Sequence, residues 1–94
     1  MSYRVELRPA VERQLRALPR GAQQQLLAAV EALADSPRPS GTKALTGELT
    51  GSYRLKVGRV YRLGYDVDDA AQVVTVWGVG HRDKFYEKAR RRRR

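Results

Sequence analysis

Arg54, Lys56 and Arg62 hold the clearest chemical signal in this sequence, because the pattern around them puts all three on one side of a sheet. Tyr53, Leu55 and Val57 alternate with Arg54 and Lys56. After Gly58, Tyr61, Leu63 and Tyr65 alternate with Arg62 and Gly64. Alternation of this kind predicts two strands, each with one buried face. A three-residue loop, Gly58-Arg59-Val60, sets Val57 opposite Tyr61, Lys56 opposite Arg62 and Leu55 opposite Leu63. A two-residue loop would set Leu55 opposite Arg62 and bury a guanidinium among apolar side chains, at a cost on the order of several kcal/mol. The three-residue register is the one expected. It gathers three cations with no acid among them, although like charges across strands repel. Two guanidinium forks and an ammonium suit the oxyanions of a phosphate, above all one whose negative charge grows during reaction.

Gly80-His81-Arg82 follows the next strand, with Phe85 and Tyr86 close behind. An imidazole titrates near pH 6.5, so His81 suits proton transfer near neutrality as well as a purely structural place. Tyr86 has three readings: a core aromatic, a phenol made more acidic by neighbouring cations, or a platform for a nucleobase. Trp77, in mid-strand among valines, is assigned to the core. Asp66, Asp68 and Asp69 are assigned to a hairpin turn, where aspartate bonds its own backbone. They lack the spacing of a calcium loop, so no metal site is expected. No glycine-rich phosphate loop precedes a helix, and neither a Ser-His-acid set nor paired carboxylates stand out, so no cofactor is expected.

The elements that must position these residues follow from the same periodicities. Tyr3, Val5 and Leu7 alternate with polar residues as a short strand. Val11, Leu15 and Leu18 follow Pro9 at helical spacing, and Leu26, Val30, Leu33 and Ala34 form the stripe of a second helix. Pro19 and Gly21 mark the turn between the helices, which predicts an antiparallel helix hairpin. Residues 35–41 are a breaker cluster, and Lys43 to Gly51 reads as an irregular connection. A third run, Gln72 to Val79, is nearly continuous in apolar residues, as in a strand buried on both sides. The order β-α-α-β-β-β predicts an α+β two-layer sandwich, with the helix hairpin on an antiparallel sheet of about four strands. A short helical segment at Asp83 to Ala89 and a basic tail complete it.

Composition narrows the classes further. Ninety-four residues, 41% hydrophobic and 31% charged, make one globular domain, expected over 1–89, with Arg90–Arg94 as a basic tail. The chain has no cysteine, which excludes disulfides, thiolate metal sites and a cysteine nucleophile. No run is long and apolar enough to span a bilayer, and the N-terminus does not read as a signal peptide, so no membrane partner and a cytoplasmic location are expected. The net charge is +9, and Lys88 with Arg90–Arg94 supplies six of the positive charges. Such a tail attracts polyanions through counterion release, though a solvated tail needs no function.

The sequence resembles the RelE/ParE superfamily of toxin–antitoxin toxins, over nearly its whole length. The resemblance rests on the strand and helix hairpin, then Leu49-Thr50-Gly51-Ser52-Tyr53-Arg54-Leu55-Lys56-Val57-Gly58, Tyr61-Arg62-Leu63-Gly64-Tyr65, Val79-Gly80-His81-Arg82 and Tyr86. Val60 beside Arg59 makes the hairpin one residue longer than the shortest family loops. The RelE branch implies a metal-independent endoribonuclease that cuts mRNA in the ribosomal A site, and a cognate antitoxin that covers the basic face. It implies site residues Arg54, Lys56, Arg62, Arg82 and Tyr86, with His81 at a position often His or basic. Arg62 and Arg82 would stabilise charge. Lys56 or His81 would act as acid or base, and Tyr86 would orient or deprotonate the 2′-OH. The ParE branch implies instead a non-nuclease that inhibits DNA gyrase. A non-enzymatic RNA-binding domain driven by the arginine tail is a third reading.

Overall fold

Pro9 opens the first helix at a position where its missing N–H costs nothing, and the chain before it is extended. In the computed structural model, which describes residues 2–85, β1 (Arg4–Leu7) runs into α1 (Pro9–Arg16) through the extended Arg8. Glu12 lies in the first turn of α1 and Arg13 and Arg16 in its last, as the helix dipole favours. Pro19 caps α2 (Arg20–Ala32), so Gly21 sits inside the first turn of this helix and not in the connection. The buried stripe of Ala22, Leu26 and Val30 holds α2 in place despite the glycine. The Gln23 amide donates to the Leu18 carbonyl at 2.8 Å and ties the second helix to the end of the first.

The sheet has five strands, in the order β1-β5-β4-β3-β2. They are β2 (Thr42–Ala44), β3 (Ser52–Val57), β4 (Tyr61–Asp68) and β5 (Val73–His81), with β1 parallel to β5 and the other pairs antiparallel. The strand beyond the expected four is β2. It occupies part of the stretch read as irregular, and three residues are too few to display an alternation. A 3₁₀ turn at Gly47–Leu49 follows it. The β3–β4 register is the one the loop arithmetic requires: Val57 opposite Tyr61, Lys56 opposite Arg62, Leu55 opposite Leu63. Gly58 takes the left-handed conformation (φ 63°) that lets this loop close.

One face of the sheet carries the helices. Val11, Leu15, Leu26, Val30 and Leu33 meet Leu55, Val57, Leu63, Tyr65, Val74, Val76 and Val79 there. Pairing of β1 with β5 ends at Leu7 opposite Val76, which would leave the next stretch of β5 with an open edge. Gln14 of α1 takes over, its Oε1 accepting the Val79 N–H at 2.9 Å.

A polar clamp closes the end of the sheet away from the Gly58 loop. Arg38 donates to both Asp69 carboxylate oxygens, at 3.2 and 2.8 Å, and through Nε to the Tyr53 hydroxyl at 3.1 Å. The Tyr3 hydroxyl donates to Asp69 at 2.7 Å. The Arg38 and Tyr3 bonds hold the Asp69 carboxyl below its usual range, and the Asp69 bond pushes the Tyr3 phenol up. The buried Tyr65 hydroxyl donates to the Pro37 carbonyl at 2.7 Å, fastening the breaker segment to β4. Asp68 accepts the Ala71 N–H at 3.0 Å, the local turn bond expected of it.

Candidate active site

The cations project from the face of the sheet opposite α1 and α2. Arg54 and Lys56 on β3 and Arg62 on β4 alternate with the core residues, so they stand on the side opposite the helices. Lys56 pairs directly with Arg62, and Arg62 pairs in turn with Gly80. Arg54 pairs with Gly64 on one side and with Lys43 on the other. Lys43 therefore joins the row. It escaped the sequence reading because β2 itself did. Residues directly opposite on a face have Cβ atoms about 4.5–5.5 Å apart, so Lys56 and Arg62 are cross-strand neighbours of like charge.

Arg54 is the unusual member. Its side chain is only 8% exposed, and its buried Nε has no hydrogen-bond partner among the described residues. A buried guanidinium donor left unbonded is destabilising, on the order of 1–3 kcal/mol.

A second apolar cluster on this same face holds the neighbouring segments in place. Gly64 pairs with Gly78 and Tyr65 with Val76, so Trp77 is the extra residue of a β-bulge. The bulge allows Val76 and Val79 both to face the helices while Trp77 turns to the cation side. Trp77 is 5% exposed, buried as expected, but it packs with Leu49, Phe85 and Leu45 and not in the main core. Its indole stacks on Phe85 at 5.6 Å and lies against Gly64. The indole Nε1 donates to Asp66 at 3.1 Å, and the Ser52 hydroxyl donates to the same carboxylate oxygen. Asp66 was assigned to the turn; it lies inside β4, whose length carries the alternation on to Asp68 and places Asp66 on the cation side. An acid does therefore share this face, bonded to Ser52 and Trp77.

Residues 82–85 are helical and start beside the β3–β4 loop, where the Arg82 N–H donates to the Val60 carbonyl at 2.6 Å. The Arg82 side chain is exposed, with Nε 3.8 Å from Asp83. His81 is placed differently. It pairs with Tyr61, a residue of the helix-side face, and contacts that ring edge-on at 6.1 Å. Its Nδ1 accepts the Asp83 N–H at 3.2 Å. The sheet thus brings Arg54, Lys56, Arg62 and Lys43 together, sets Arg82 at the end of the row and leaves His81 on the other face. Tyr86, the expected segment to Ala89 and the arginine tail lie outside the described residues. Among the described residues no cluster of acids and histidine could hold a metal ion, and no helix is long and apolar enough to cross a membrane.

Residues 5–86 match the family model for the ParE toxin of type II toxin–antitoxin systems, parDE. The chain belongs to this toxin family. The match spans the whole cation row, from Lys43 to Arg82, and also Tyr86. The toxin is similar to the RelBE2 toxin–antitoxin complex from Mycobacterium tuberculosis, at 29% identity and a TM-score of 0.78, over 87% of this chain and 100% of that one. It is similar to the archaeal RelE–RelB complex from Pyrococcus horikoshii, at 28% identity and a TM-score of 0.75, over 87% and 97% of the two chains. It is also similar to the E. coli toxin RelE in the free state, at 28% identity and a TM-score of 0.76, over 98% of each chain. No curated protein sequence matches it.

Proposed function

We propose that this toxin is a metal-independent endoribonuclease that cuts mRNA in the ribosomal A site, halts translation and is held inactive by a cognate antitoxin over its basic face. The observation that carries the reading is the register that sets Lys56 opposite Arg62 and Arg54 opposite Lys43 on one face of the sheet. A row of cations that repel one another has its natural complement in a phosphate.

In the proposed reaction the ribose 2′-oxygen attacks the adjacent phosphorus and the bond to the 5′-oxygen breaks. The products are a 2′,3′-cyclic phosphate and a 5′-hydroxyl. Arg54, Arg62 and Arg82 stabilise the phosphorane, which carries more charge than the ground state, so their effect falls mainly on the transition state. The Lys56 ammonium gives the leaving 5′-oxygen its proton. Tyr86, as the phenolate that neighbouring cations favour, orients the 2′-OH and takes its proton. The place of His81 on the other face favours Lys56 over it as the acid. The ribosome supplies in-line geometry that a domain of this size lacks on its own.

A second reading, gyrase inhibition without nuclease activity, is favoured by the name of the matching family model. Expression without an antitoxin separates the two. Methionine incorporation should fall before thymidine incorporation, and the reverse order would overturn the nuclease reading.

A further inference from the structure

We infer that the concavity beside the cation row is a subsite for the nucleobase next to the scissile phosphate, on the β2 side; this inference rests on the nuclease reading. The concavity measures about 390 Å³ and is lined by Lys43, Ala44, Leu45, Thr46 and Leu49. Its apolar wall, Leu45 and Leu49, packs against the Trp77–Phe85 pair, so the wall is formed before any ligand arrives. Its volume is near the lower limit of small-molecule sites, which suits one planar base.

The register connects this space to the cations. Lys43 at its rim stands opposite Arg54, and Arg54 lies two residues along β3 from Lys56. Two residues of strand cover about 6.5–7 Å, comparable with the separation of successive phosphates in an extended single strand. With the scissile phosphate over Lys56 and Arg62 and beside Arg54, the next phosphate comes within reach of Lys43, and its base meets Leu45 and Leu49. Thr46, on the wall of this space, offers a hydroxyl to the base edge. Lys43 and Arg54 favour a polyanion here over an apolar or basic peptide.

The test is binding of a labelled RNA hexamer with a 2′-deoxy nucleotide at the cleavage position, scanned with single abasic substitutions. The full chain should bind about fivefold more weakly when the base is missing at one flanking position. That penalty should vanish in Leu45→Trp, which fills the space. If this variant melts early, Thr46→Trp fills it from the other wall. Lys43→Glu should flatten the salt dependence of binding by about one to two phosphate contacts. A flat abasic profile, with Lys56→Ala and Arg62→Ala still weakening binding, overturns the subsite and leaves the nuclease reading standing. No RNA binding by the wild-type chain overturns the subsite, while the nuclease reading stands or falls on cleavage of ribosome-bound mRNA. A penalty that emerges only after residues 88–94 are removed means that the chain's own C-terminus occupies the space, and also overturns the proposal.

Discussion

The Trp77 indole lies so close over Gly64 that a Cβ at that glycine would fall 2.4 Å from the ring. The contact joins β4 to the β5 bulge and anchors the apolar cluster that flanks the cation row. Gly64→Ala must push the indole away from Asp66 and Phe85. Overpacking of this kind costs about 1–3 kcal/mol, which for a domain of this size lowers the melting temperature by roughly 5–20 °C. Thermal melts of Gly64→Ala and Gly78→Ala check this, since an added Cβ at Gly78 comes no closer than 4.0 Å to its nearest contact, Gln14.

Arg54→Met should separate function from stability. The variant removes a buried, unbonded donor and keeps apolar volume, so its melting temperature should match or exceed that of the wild type. Its turnover should fall by about 10²-fold or more, as when one preorganised donor is lost. Melts and single-turnover cleavage on the same preparation give both quantities.

Arg82→Ala should follow a related pattern. Its side chain is exposed and pairs only distantly with Asp83, so stability should stay within about 1 kcal/mol. Cleavage should fall by about 10²-fold with little change in ribosome binding. Weak binding with normal cleavage at saturation would make Arg82 a docking residue.

The Arg38–Asp69–Tyr3 clamp sets a pH dependence with two signs. The Asp69 carboxyl is held below its ordinary value, so its contribution is present above the carboxylate range and lost as pH falls through the folded value. The Tyr3 phenol is raised, so its contribution is present below the ordinary phenol range and lost as pH rises through the folded value. Asp69→Asn should remove the acid-side difference and Tyr3→Phe the alkaline one, in melts from pH 2 to 11.

Much of this arrangement was legible in the sequence because period two is strong in β3 and β4. Alternation and one loop length gave the register of Lys56 and Arg62. The same reasoning failed where the pattern was short or broken. Three residues of β2 carry no readable period, so Lys43 was missed. The bulge at Trp77 hides in a run of apolar residues, since an extra residue reverses the face without changing composition. His81 looked close to the cation row, but it lies one step along β5 from Gly80, the partner of Arg62, and one step along a strand changes sides. The clamp joins Tyr3, Arg38 and Asp69 from distant segments, and no local spacing announces such a contact.

The most direct test of the central claim is single-turnover cleavage of one mRNA, naked and ribosome-bound, by the wild type and Arg62→Ala. The account predicts cuts at the A-site codon of ribosome-bound message ending in a 2′,3′-cyclic phosphate, little cleavage of naked RNA and about a 10²-fold loss in Arg62→Ala. Intact message on stalled or running ribosomes, or equal cleavage by Arg62→Ala and the wild type, would contradict it.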